Sequence, residues 1–252
     1  MNIYNLKTNY LMNPIGFLMD TVALSWIIEA PFEEELQGIR VLIALDENFE
    51  EVIHDSRMQA DLDSLCYQPE IKLQPRTRYF WKVIAKNAGG DESYSEIQYF
   101  ETAKEEERWS GRWIEPARQM ERMPLVRKLF RLSEKPICKA RVYATGLGIY
   151  ELYLNGEKIG DEYLAPGFHS YDFWQQYQTY DVTEALQAGG NAIGFMLGDG
   201  WYKGRFGFDG GYEDLYGDQF RLIAECIVTY EDGTEETIAS DDTWEVAEGP
   251  LV

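Results

Sequence analysis

Apolar residues fall on every second position through most of this chain. Val22, Leu24, Trp26 and Ile28 form one such set, Ile39, Val41, Ile43 and Leu45 another, and Tyr79, Trp81 and Val83 a third. A period of two places each set on one face of a β-strand, whereas a helix would need spacings of three and four. The pattern resumes in Ala140, Val142 and Ala144, in Tyr150, Leu152 and Leu154, in Ile193, Phe195 and Leu197, and in Leu222, Ala224, Cys226 and Val228. Only Asp181 to Leu186 reads as helical: Asp181 and Glu184 have the spacing of a capping box and Gly189 is placed to end it. The pattern predicts an all-β protein with a turn or two of helix beside a sheet.

Punctuation divides the strands into two groups. Leu73 to Val83 reads as a strand entered through a corner at Pro75, and Asn87-Ala88-Gly89-Gly90 turns the chain toward the strand from Ile97 to Phe100. Ala103-Lys104-Glu105-Glu106-Glu107-Arg108 then has almost no apolar content and reads as a linker. The expected domains are therefore 1–103 and 104–252, and 252 residues suffice for two cores. In the second, Asn155-Gly156 and Asp232-Gly233 tolerate the positive φ of tight hairpin turns. No fixed period relates the two halves, so a solenoid or propeller is not expected.

A net charge of -21 repels phosphate backbones and anionic headgroups, and no apolar run approaches the roughly 20 residues of a membrane helix. Neither nucleic acid nor membrane is an expected partner; a neutral ligand suits the chain better. Met1-Asn2-Ile3-Tyr4 lacks the features of a secretory signal, and Cys66, Cys138 and Cys226 are few and widely separated. A cytoplasmic location with reduced, buried cysteines is the expectation. With His54 and His169 the only histidines, zinc is not expected.

Catalytic patterns are not evident. Gly146-Leu147-Gly148 begins like a dinucleotide fingerprint, but the third glycine is missing and a strand follows where the helix should be, so a strand-edge bulge is the better reading. There is no Walker loop, GxSxG elbow or HExxH pair. Among 44 acidic residues pairs arise by chance, and no catalytic residue is assigned.

Two resemblances rest on these segments. The string Leu73, Pro75, Thr77, Tyr79, Trp81, Val83 at alternate positions resembles a fibronectin type III domain, which implies that the Tyr79 hydroxyl closes a corner. Ala144 to Asp161, Leu164-Ala165-Pro166-Gly167, Tyr177 to Thr183, Gly189 to Ala192, Leu197 to Gly204 and Tyr216-Gly217-Asp218 together resemble the N-terminal β-sandwich of bacterial α-L-rhamnosidases, a jelly roll. The resemblance implies a non-catalytic region that precedes an (α/α)6 barrel, whose carboxylates remove terminal α-L-rhamnose with inversion. No residue here matches that acid or base. Thr243-Trp244-Glu245-Val246 reads as a strand where the family continues pairing, so a truncated chain with an imperfect sheet edge is expected.

Gly198 to Asp214 is the candidate site. Glycines flanking Trp201 and Tyr202 let the backbone bend and present a ring to the C–H face of a deoxyhexose, with Asp199, Arg205 and Asp209 near enough to bond its hydroxyls. Asp209 and Asp214 are candidate calcium ligands, calcium being the one cofactor considered. The alternative is that Trp201 and Tyr202 face the barrel or the sandwich core and the acidic loop is solvated.

Overall fold

The alternating segments fold as strands with their apolar sets turned inward. The structure, a computed structural model, describes residues 1–31, 35–118 and 120–250 and divides into two units, Met1–Glu107 and Arg108–Val252.

The first unit contains β1 (Asn2–Thr8), β2 (Ile15–Phe17), β3 (Leu24–Glu29), β4 (Leu36–Ala44), β5 (Val52–Asp55), β6 (Arg78–Asn87), β7 (Glu92–Tyr94) and β8 (Gln98–Thr102). β1 and β3 pair as a two-stranded sheet, and the others form a sheet ordered β2-β8-β6-β4-β5, with β7 on β6. Ile3, Leu6, Leu24 and Trp26 from the small sheet meet Ile39, Val41, Ile43, Tyr79, Trp81, Val83 and Phe100 from the large one in a single core. Each fully buried ring contributes at most about 3 kcal/mol by removal of apolar area from water. At the corner the Gln74 N–H donates to the Tyr79 hydroxyl at 2.7 Å while the ring stacks on Phe100, so Tyr79 does close the turn. The acidic stretch after β8 stays with this unit: Arg76 donates its backbone N–H to the Ala103 carbonyl and pairs through Nε with Glu107 at 2.5 Å.

The second unit is a sandwich of two antiparallel sheets. Its strands are β9 (Pro124–Leu132), β10 (Ile137–Leu147), β11 (Ile149–Leu154), β12 (Glu157–Ile159), β13 (Gln178–Asp181), β14 (Gly189–Gly198), β15 (Arg221–Tyr230), β16 (Glu235–Ala239) and β17 (Glu245–Glu248). One sheet runs β13-β10-β15-β16 and the other β12-β11-β14-β9-β17. Val142, Ala144, Leu222, Ala224, Cys226 and Val228 of the first face Tyr150, Leu152, Leu154, Ile193, Phe195 and Leu197 of the second. Asn155 (φ 52°) and Gly156 (φ 92°) make the tight turn between β11 and β12, as their sequence predicts. Glu225, on β15 and only 1% exposed, accepts the Ser110 N–H at 2.6 Å and so fastens the start of this unit to its sheet.

Two local expectations are corrected. Gly148 is not a strand-edge bulge: it joins β10 in one sheet to β11 in the other, at φ 118°, with the Gly198 carbonyl where a Cβ would stand. Asp181 to Leu186 is one 3-10 turn, Thr183–Ala185, and no side chain caps it. The Asp181 carboxylate instead accepts from the Thr183 N–H and hydroxyl and pairs with Arg141 at 2.6 Å, which removes it from the capping-box geometry.

Trp244 is buried, with Nε1 donating to the Ala239 carbonyl at 2.9 Å, and β17 beyond it pairs with β9 at the end of its sheet.

Candidate functional site

β14 delivers the chain at Gly198, opposite Ile149, into a single helical turn, α1 (Gly200–Lys203). Asp199 stands at its N-cap, yet its side chain makes no capping bond. Lys203 instead draws the acids together: its Nζ is 3.9 Å from Asp199 and 3.4 Å from Asp214, above the Phe220 ring. Burial raises the Asp199 pKa, Lys203 opposes the rise, and Asp214 and Glu213 add to it.

Past α1 a small hairpin forms, with Phe206 and Tyr212 exchanging both backbone bonds at 2.8 Å. Arg205 closes it from the side, donating to the Gly210 carbonyl and pairing with Glu213 at 2.5 Å. Asp209 lies at the exposed tip with φ 55°, beside Phe208, whose side chain is 96% exposed. The polar side chains proposed from sequence thus split into a Lys203 cluster holding Asp199 and Asp214, an Arg205–Glu213 pair, and Asp209 at the tip. Among the described residues no three His, Cys, Asp or Glu side chains come together as ligands for a metal ion.

The aromatic pair separates. Trp201 is half-buried, meeting Phe168 edge-on at 6.2 Å, and Phe168 stacks on Phe206 at 6.1 Å. Tyr202 turns toward Tyr171 and Tyr216, its ring centroid 5.2 Å and 6.5 Å from theirs. Glycine at 217 lets the Tyr202 hydroxyl come close, where a Cβ would push that ring aside. Behind Tyr171 sits His169, 2% exposed, with ring centroids 4.2 Å from Tyr171 and 5.3 Å from Trp174. Neither ring nitrogen of His169 nor the Tyr171 hydroxyl has a hydrogen-bond partner. Burial lowers the His169 pKa, against a smaller opposing effect of Gln175.

This second loop, from Ala165 to Tyr177, is what sequence reasoning missed as part of the site. Its signal was density, not period: Phe168, His169, Tyr171, Phe173 and Trp174 fall within seven residues just after Pro166-Gly167.

A two-sheet domain with a tyrosine corner, followed by a jelly roll whose loops gather aromatic rings at one end, defines an all-β tandem of sandwich modules. Residues 3–106 match the family described as Rha78A-like, N-terminal immunoglobulin domain, and residues 135–252 match the alpha-L-rhamnosidase N-terminal domain. The chain belongs to the α-L-rhamnosidases as an N-terminal region of that family. An alpha-L-rhamnosidase of Formosa agariphila is 32% identical to it over 97% of this chain and 29% of that protein. One from Streptomyces avermitilis is 45% identical over 50% of this chain and 12% of that protein. The structure of the alpha-L-rhamnosidase from Dictyoglumus thermophilum superposes with a TM-score of 0.82 at 31% identity, covering 99% of this chain and 30% of that one. The chain thus spans under a third of the length of these relatives.

Proposed function

We propose that this chain is the accessory N-terminal part of an α-L-rhamnosidase, which holds and shapes a catalytic (α/α)6 barrel and performs no chemistry itself. The observation that carries the reading is the ordered pair of domain matches along the chain, which covers 29% of a curated and 30% of a solved α-L-rhamnosidase. The reaction of the whole protein is then hydrolysis of terminal α-L-rhamnosides, with the acid and base outside these 252 residues. The reading frame tests it first: it is expected to continue for several hundred residues into paired helices. In the second arm the 252-residue chain is assayed on an aryl α-L-rhamnoside, and no turnover is expected. Activity that survives repurification and is lost on mutating an Asp or Glu of this chain overturns the accessory role.

A second reading is a sugar-binding module. The rings of Phe168, Trp201 and Phe206 gathered at the loop end favour it, since an aromatic face can take the C–H side of a deoxyhexose. Asp199 and Arg205 would have to exchange their present ion pairs for sugar hydroxyls. Titration with L-rhamnose, with and without a calcium chelator, tests this role together with the calcium role of Asp209 and Asp214. No shift of the Trp201 indole signal at tens of millimolar sugar removes it.

A further inference from the structure

We propose that Asn155 is a deamidation site which the fold holds shut: its turn with Gly156 is open to attack on the side-chain amide, and a set of hydrogen bonds within the second unit prevents it. Of the asparagines in the chain, Asn155 alone is followed by glycine. Glycine matters because the reaction uses its nitrogen, and with no side chain on residue 156 that nitrogen can close on the Asn155 Cγ. Both residues are exposed, and nothing lies within 4 Å of where a Gly156 Cβ would stand, so water and hydroxide reach the turn. Burial does not protect it.

The protection lies in how the carboxamide is held. Its Oδ1 accepts the Ala192 N–H at 2.9 Å, and its Nδ2 donates to the Ala185 carbonyl and to Asn191 Oδ1, each at 2.9 Å. The Asn155 N–H is tied to the same strand, donating to the Ala192 carbonyl at 2.8 Å. Asn191, 6% exposed, cannot turn round to suit a changed partner: its Oδ1 also accepts the Gln187 N–H, and its Nδ2 donates to the carbonyls of Gln187 and Gly189. Bringing Cγ over the Gly156 nitrogen breaks the carboxamide bonds to Ala192, Ala185 and Asn191 together, so the reaction waits for the turn to open.

The chemistry needs only water. Hydroxide takes the Gly156 amide proton, the nitrogen attacks Asn155 Cγ, and the Cγ–Nδ2 bond breaks as ammonia leaves with a proton from water. The cyclic imide then adds water. Opening at the Cγ–N bond gives aspartate, and opening at the main-chain carbonyl gives isoaspartate, whose chain runs through Cβ and Cγ. Neither product fits the old place. Aspartate sets a carboxylate oxygen, with no hydrogen to donate, against the Ala185 carbonyl and Asn191 Oδ1. Isoaspartate lengthens the chain inside the turn and displaces the pairing of Leu154 with Glu157. A chain converted while open therefore returns to a weakened second unit, with no route back to the amide.

The 252-residue chain, held in mildly alkaline buffer either folded or unfolded in guanidinium, tests this by peptide mass spectrometry with chromatographic separation of isoaspartate. In the unfolded chain Asn155 is expected to convert ahead of Asn87 and Asn191, which precede alanine. In the folded chain its conversion is expected to be slower by roughly tenfold or more. Asn191→Ala, which withdraws one carboxamide bond, should speed conversion in the folded chain more than Gly233→Ala, which weakens another hairpin of the same unit, with rates compared at the same interval below each melting temperature. Asn155→Asp, one of the products, should lower melting of the second unit by about 5 °C or more. Equal rates in folded and unfolded chains, or in the Asn191 and Gly233 variants, overturn the protection. An Asn155→Asp chain that melts with the natural one overturns the consequence.

Discussion

Replacing Gly148 with alanine should damage the second unit far more than its size suggests. The residue has φ 118°, a conformation that costs an L-residue about 1–3 kcal/mol. A Cβ built there lies 2.2 Å from the Gly198 carbonyl oxygen, which is backbone and not the end of a flexible side chain. Relieving that contact requires a movement of roughly 1 Å, and it breaks the pairing of Ile149 with Gly198, worth about 1 kcal/mol, at the point where β14 hands the chain to α1. Together these give a loss of about 2–4 kcal/mol. Gly233, also at positive φ (79°) but with nothing within 4 Å of its Cβ, should lose only about 1 kcal/mol on the same substitution. Differential scanning calorimetry separates the cases. For a unit of this length Gly148→Ala should lower one transition by about 6–16 °C and Gly233→Ala by about 3–4 °C, with the transition of the first unit unmoved in both. Equal shifts for the two variants would refute the close-approach reasoning.

Two further outcomes follow from buried groups. Cys226 is buried and its thiol pKa is pushed up to about 12, while Cys66 and Cys138 are exposed; a thiol reagent should therefore label two cysteines in the folded chain and the third only on unfolding. Burial holds the His169 pKa below its usual 6.5, so the folded state favours the neutral ring. Stability from this site is complete above pH 6.5 and falls as the pH drops through that value toward the lowered one, because the unfolded chain takes up the proton first. Melting of the second unit between pH 7 and 5 should show this slope, and His169→Gln should flatten it.

The strands were legible because one face of each is buried, and burial writes itself into alternate positions. Ile39, Val41 and Ile43, or Leu222, Ala224, Cys226 and Val228, needed no partner to be recognised. Asn155-Gly156 was equally readable, since the turn is specified by the two residues that make it. Asp181 failed for the opposite reason. Its neighbours offered a helix cap, but Arg141, forty residues earlier on β10, claimed the carboxylate. Gly148 was misread because its requirement comes from Gly198, a residue that no local pattern brings near. At the candidate site the glycine-flanked Trp201-Tyr202 pair drew attention to one loop, that of α1 and the hairpin after it. The companion loop with Phe168, His169 and Trp174 did not, because side chains that meet only through tertiary contact leave no period along the chain. The charged residues there, Asp199, Arg205 and Asp214, showed their chemistry in sequence but not their engagement with Lys203 and Glu213.

The winding of the second sandwich also orders events during synthesis. β9 is one of its first strands to leave the ribosome, yet Val126 pairs on one side with Phe195 of β14 and on the other with Val246 of β17, and Ala140 of β10 waits for Val228 of β15. Neither sheet can close until nearly the whole unit has been made, and long-range closure of this kind is slow. The first unit, by contrast, has all its strands in hand by Thr102. It should be a finished domain while β9 is still a bare apolar ribbon, which makes the nascent second unit the stretch most in need of a chaperone.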